Sequence, residues 1–182
     1  MKRRWRRWRR SATRRRRVEE GSPATERLDP ATRLQHALNF AYRYIDRRER
    51  TVAEVRRHLE TKGVQAQTID DVLRALREDG QLDDARFARL FVEDKRELEH
   101  WGSDRIRSGL IARGIEWDVA EPALCDRDTE TELDRALGLL RRRFPSPPGD
   151  RRGRDRALGV LLRKGYESEL ALDALAAFSR GE

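Results

Sequence analysis

The chain of 182 residues is poor in the residues that staple, ligate or span. Its one cysteine, Cys125, can form neither an intrachain disulfide nor a cysteine-based zinc site, which suits a reducing, cytoplasmic setting. His36, His58 and His100 are scattered, with no partner at metal-ligand spacing. No apolar run approaches the roughly 20 residues that cross a bilayer. The Arg-rich start lacks the apolar core of a secretory signal. There is no Gly-rich phosphate loop, no G-x-S-x-G, no H-E-x-x-H and no Cys–His pair, so neither an enzyme nor a cofactor is expected. Asp70-Asp71 and Asp83-Asp84 are read as helix-start residues, not as metal ligands. β-Branched residues are scarce, which favours helices over strands.

What the chain does have is charge: 41% of residues are Asp, Glu, Lys or Arg, against 37% in the hydrophobic class. Large isolated cores are therefore not expected. The net charge is +8, and residues 1–20 alone, with 11 cations and two anions, carry +9, leaving the remainder near neutral. Within that remainder residues 65–100 hold ten acidic and six basic groups, whereas residues 135–165 hold ten basic and two acidic. The first 29 residues read as a disordered tail, because like charges repel and Gly21, Ser22 and Pro23 interrupt any helix. Arg interleaved with Trp5 and Trp8 could grip a polyanion by phosphate contact and indole stacking.

Helix signals begin at Asp29-Pro30, an N-cap followed by proline at the first helical position. Leu34, Leu38, Ala41 and Ile45 mark its stripe. Thr51 and Glu54 make a capping box for a second helix, and Ile69, Val72, Leu73 and Leu76 mark a third. Asp83 caps a fourth, with Leu82 and Phe87 as a hydrophobic staple and Phe87, Leu90, Phe91 and Leu98 as its apolar face. Ser103 is expected to cap a fifth. Gly63, Gly114 and Gly165 recur at 51-residue intervals, each with a leucine four before it (Leu59, Leu110, Leu161) and another ten after it (Leu73, Leu124, Leu175). This period predicts an all-α fold of three tandem three-helix repeats, at 30–81, 82–127 and 128–182, forming an elongated, curved rod. In the third, Leu133, Leu137, Leu140 and Phe144 mark the first helix and Pro145–Arg154 a long connector.

The second helices end in cations: Arg56, Arg57 and Lys62, then Arg105, Arg107 and Arg113, then Arg163 and Lys164. Such groups complement the helix dipole, and their recurrence also predicts a basic stripe for an acidic filament or for phosphates. Arg141, Arg142, Arg143, Arg151, Arg152, Arg154 and Arg156 extend it toward nucleic acid. A helix–turn–helix reading of 51–76 is disfavoured, because Asp70 and Asp71 of its recognition helix would face phosphates.

Gly80–Val92 reads G-x-L-D-D-x-R-F-A-R-x-F-V, and Trp101–Ile115 reads W-G-x-x-R-I-R-x-x-L-x-x-R-G-I. With E-V-R-R-H-L-E-T-K-G at Glu54–Gly63, these stretches resemble the RecX family of bacterial recombinase regulators. The resemblance implies a non-enzymatic protein, expected as a monomer. It would bind RecA–DNA filaments, lower their ATPase and strand-exchange activities, and limit their growth in recombination, DNA repair and the SOS response. The Arg/Trp tail and the long connector depart from the pattern. A second reading is a sequence-nonspecific binder of single- or double-stranded DNA through the tail and the 135–165 block. Deleting residues 1–27 is expected to leave far-UV circular dichroism and the melting temperature unchanged. The salt dependence of any DNA binding should become shallower as those cations are lost.

Overall fold

The computed structural model describes residues 29–125 and 132–181. Among them it contains nine α-helices and no strand: α1 (Pro30–Ile45), α2 (Val52–Thr61), α3 (Ala66–Glu78), α4 (Asp84–Glu97), α5 (Ser103–Ile111), α6 (Trp117–Leu124), α7 (Glu132–Arg143), α8 (Arg151–Lys164) and α9 (Ser168–Arg180). Every extensively packed helix pair lies within one consecutive trio. The expected tail falls outside the described residues apart from Asp29, which caps α1 by accepting from the Thr32 N–H at 3.1 Å.

Each trio closes on its own small core. Leu59, Leu110 and Leu161 are fully buried at its centre. Third-helix partners repeat in register: Ile69, Ala120 and Ala171 are buried, as are Val72, Ala123 and Ala174. At these positions the first core has Ile and Val where the other two have alanine. The second helices stop alike. Gly63, Gly114 and Gly165 adopt φ of 70°, 80° and 85°, a left-handed turn that costs glycine least. The N–H groups of Val64, Ile115 and Tyr166 then reach back to the carbonyls of Leu59, Leu110 and Leu161 at 3.1–3.2 Å. This tucks the residue after each glycine under the helix end.

Several local expectations change. Leu90 and Leu98 are 44% and 74% exposed, and the buried face of α4 is Phe87, Ala88, Val92 and Arg96. Ala88 fits the crowded side that a leucine would not, so the helix turns its small residue inward. No Leu82–Phe87 staple joins one core: Leu82 closes the first and Phe87 belongs to the second. Thr51 accepts from the Glu54 N–H at 3.1 Å, but the Glu54 carboxylate pairs with Arg48 and Arg50, so half of the capping box forms. Asp70 and Asp71 lie in the second turn of α3 and pair with Arg56 and Arg74. The connector is shorter than expected, because Asp150 accepts from the Gly153 N–H at 2.8 Å and starts α8 at Arg151. Gly102, not Ser103, stands at the N-cap of α5.

The reason for that last change is the joint between repeats. The N-terminus of α5 meets the C-terminus of α8: Gly102 N–H donates to the Lys164 carbonyl at 2.8 Å and Asp104 N–H to the Gly165 carbonyl at 3.1 Å. Glu132, opening α7, accepts from the Ser103 N–H at 2.7 Å and from its hydroxyl at 2.8 Å. The same device joins repeats 1 and 2. Thr51, fully buried, donates its hydroxyl to the Arg113 carbonyl at 2.8 Å. Asp84, opening α4, accepts from the Val52 N–H at 2.9 Å. The second helices are thus laid end to end, α8 to α5 to α2, each N-terminus capped by the following repeat.

Two substitutions test this architecture. Leu73→Ala should cost about 2–5 kcal/mol, since Leu73 is 2% exposed. Leu124→Ala should cost clearly less, because Leu124 only packs against the edge of its core. Burial pushes the Asp84 carboxyl above the usual carboxylate range, with Asp83 and Glu116 adding to the rise, while the Val52 N–H and Arg77 oppose it. The folded state therefore disfavours the charged form, a cost present at neutral pH and relieved as pH falls through the raised folded value. Asp84→Asn keeps an acceptor for Val52 and should be at least as stable as wild type at pH 7. That margin should narrow toward pH 4 in denaturant melts. Asp84→Ala leaves the Val52 N–H unpaired and should lose about 1–3 kcal/mol.

Candidate functional site

End-to-end second helices bring part of the expected basic stripe to the joints and leave part of it elsewhere. At the joint between repeats 2 and 3, the Arg105 guanidinium donates to the Arg163 carbonyl at 2.7 Å. Lys164 Nζ donates to the Glu99 carbonyl at 2.6 Å, and Arg142 lies 2.5 Å from His100 Nε2. Arg105, Arg142, Arg163 and Lys164 are therefore neighbours, contributed by three helices. The Arg163 side chain is exposed.

At the joint between repeats 1 and 2, Arg113 donates to the Gly109 carbonyl at 2.8 Å. The exposed Arg57 lies beside Gly114, its Nη2 3.6 Å from where a Cβ on that glycine would stand. Arg56 and Arg107 are tied locally, to Asp70 and to Asp104, both at 2.6 Å. Such exposed pairs add little stability but fix where each cation sits. Lys62 closes α2. The second helices thus carry cations along their common line, several of which also hold the joints together.

Aromatic residues link the two clusters. Arg113 covers the Phe91 ring at 4.7 Å, and Lys95 lies 5.6 Å from Phe91 and 4.9 Å from Trp101. Arg105 covers the Trp101 ring at 4.3 Å, and the two rings meet edge to face at 6.4 Å. A cation held over a ring loses rotamer freedom and is presented in one orientation. Sequence reasoning placed Phe91 on the apolar face of α4 and Trp101 in the W-G stretch, gave neither a role beside cations, and passed over Lys95. Their signal was the i, i+4 spacing of Phe91 and Lys95 on one helix and the Trp-Gly pair at its end.

The third group meets the joint cluster at Arg142. Arg141, Arg142 and Arg143 are exposed at the C-terminus of α7, where the dipole favours them. Arg151, Arg152 and Arg154 are exposed in the first turn of α8, which has no acidic residue. There the dipole opposes them, and among the described residues none of the three makes an ion pair. Trp5 and Trp8 lie outside the described residues. Among the described residues no cluster of His, Cys, Asp and Glu could hold a metal ion, and no helix is long and apolar enough to cross a membrane.

Comparison with known proteins places this architecture. Residues 37–76 match the family model for the first three-helix domain of RecX, and residues 83–124 the model for its second. The chain is 33% identical over 161 residues to the regulatory protein RecX of Deinococcus radiodurans, covering 87% of this chain and 77% of that protein. It is 36% identical over 135 residues to the regulatory protein RecX of Leptothrix cholodnii, covering 74% and 84% of the two chains. The crystal structure of RecX from Lactobacillus salivarius superposes with a TM-score of 0.74 at 20% identity, over 82% of this chain and 99% of that one. A second RecX crystal structure gives 0.68 at 22% identity, over 79% and 73%. These structures share the tandem helical fold, and the sequence relatives carry one name across most of their length. The chain belongs to the RecX family of regulatory proteins.

Proposed function

We propose that this chain regulates the RecA recombinase by binding along its filament and lowering its ATPase, strand exchange and growth. Family membership supports a regulatory role, and the observation that carries the finer reading is the end-to-end line of α8, α5 and α2. That line sets cations from three repeats at regular intervals. A periodic partner such as a protein filament on DNA can meet several of them at once. Each exposed contact is worth about 0–1 kcal/mol, because water and salt screen it. Affinity then comes from linkage: once one repeat is bound, the next is held at high effective concentration near its own site. A rod bound in this way obstructs addition of filament subunits or the DNA channel without any chemistry of its own.

The α7 and α8 cations favour a second reading, direct DNA binding without sequence preference. Arg151, Arg152 and Arg154 stand where their own helix dipole opposes them and make no ion pair among the described residues, so an external anion would complement their charge.

The test is titration of the protein into a DNA-dependent RecA ATPase assay. Charge reversal must use side chains that hold no joint, which points to Arg57 and Arg163. Arg57→Glu or Arg163→Glu alone should raise the half-maximal inhibitory concentration by up to about fivefold. Together they should raise it by about tenfold or more, with melting temperatures unchanged. Well-folded double variants that inhibit like wild type would reduce these cations to a solvated surface. Gel shifts that need no recombinase, alongside an unaffected ATPase, would favour the DNA reading.

A further inference from the structure

Both internal joints use one half-surface: a left-handed glycine at the end of a second helix, seated on the N-terminus of its neighbour. A Cβ built on Gly114 would fall 2.4 Å from Ala53 Cβ, and one on Gly165 would fall 2.3 Å from Arg105 Cβ. Repeat 1 carries the same half-surface at Gly63, with φ of 70° and the same helix-end hydrogen bonds. There, however, no atom of the described residues lies within 4 Å of a Cβ built on the glycine. Beside it, between Pro30 and Gln65, is a cleft of 280 Å³. Gln65 is the N-cap of α3, as Glu116 is of α6, and in repeat 2 it is Asp84 that faces Glu116 at the corresponding corner.

The opposite end of the array is closed. A fourth repeat would cap the N-terminus of α8, but Asp150 already accepts from the Gly153 N–H at 2.8 Å. Pro148 fills the adjoining space, 2.8 Å from where a Cβ on Gly153 would stand. A second copy therefore cannot extend the array head to tail. Among the described residues the array is sealed at α8 and open at α2.

We propose that the open end at Gly63 is a docking surface for the N-terminus of a helix in the recombinase subunit, seated as the N-terminus of α2 is on Gly114. This rests on the recombinase-binding reading above. The internal joints define the occupant: first-turn N–H groups facing the negative C-terminal end of α2, with the Cβ of an early residue packed on the glycine, as Ala53 packs on Gly114 and Arg105 on Gly165. The contact would orient the rod, because only one of its ends can make it.

Two variants test the proposal. Gly63→Asn keeps the left-handed turn with the least strain of any side chain and projects atoms where the incoming helix would sit. Ala31→Trp fills the neighbouring cleft from an exposed position. Ala31→Trp should melt like wild type and Gly63→Asn only slightly lower, whereas Gly114→Asn, which would also collide with Ala53, should melt much lower. In the RecA ATPase titration both variants should raise the half-maximal inhibitory concentration at least about fivefold, since one seated helix end exceeds a single screened ion pair. Amide hydrogen exchange at residues 62–66 should slow on adding RecA filaments to wild type and not to Gly63→Asn. Inhibition by wild type with both variants equally potent overturns the proposal and leaves the filament reading standing. More potent variants overturn it, as they would mean the chain covers the site itself. So does a wild-type dimer abolished by Gly63→Asn. A wild type with no effect on the recombinase removes both readings.

Discussion

A helix buried at its N-terminus must find acceptors for the N–H groups of its first turn, and α2 and α5 find theirs in the following repeat. The Val52 N–H meets Asp84, and beside it the Thr51 hydroxyl donates to the Arg113 carbonyl. Gly102 meets the Lys164 carbonyl and Ser103 meets Glu132. Because the acceptors include carbonyls at the C-terminus of another helix, positive and negative dipole ends face each other at each joint. Leaving such donors without partners would cost more than the bonds contribute, so the joints impose one geometry on neighbouring repeats. The end-to-end line of second helices follows from that requirement.

This way of joining units explains how so charged a chain folds. Each repeat encloses only a small core, and the second and third fill much of theirs with alanine. The large side chains there, such as Phe87, Tyr166 and Phe178, are interleaved with these small ones. Small units of this kind are marginal alone and gain from nearest-neighbour interfaces. Here those interfaces are directional and polar, so the buried apolar residues cluster within each trio. Charge can then occupy much of the outside.

The cations have two kinds of work, and the structure separates them. Arg105, Arg113 and Lys164 hold carbonyls at or near the joints, and Arg105, Arg113 and Lys95 cover aromatic rings. Arg57, Arg163 and the α7–α8 arginines project outward. The filament binding proposed above would need both, because exposed charges at several points act together only if the spacing between them is rigid. The joints supply that rigidity.

The sequence by itself determined the helical class, the three-unit periodicity and the residues at the centre of each unit. Those features are local: stripe spacing, a proline at a helix start, and a left-handed glycine after Leu59, Leu110 and Leu161 all report on neighbours within a few residues. The cationic residues were equally legible as residues. Their roles were not, because whether Arg105 is a free charge or a clasp depends on a carbonyl 58 positions away. The same distance in sequence hid the capping of α2 by Asp84 and of α5 by Glu132, where local reasoning placed a capping box and a serine cap. It also hid Phe91 and Trp101 as supports for arginines. Periodicity recorded that Gly63, Gly114 and Gly165 are equivalent. Only the packing of one repeat on the next decided that two of them are covered and that Gly63, among the described residues, is not, since an array of three units has just two joints.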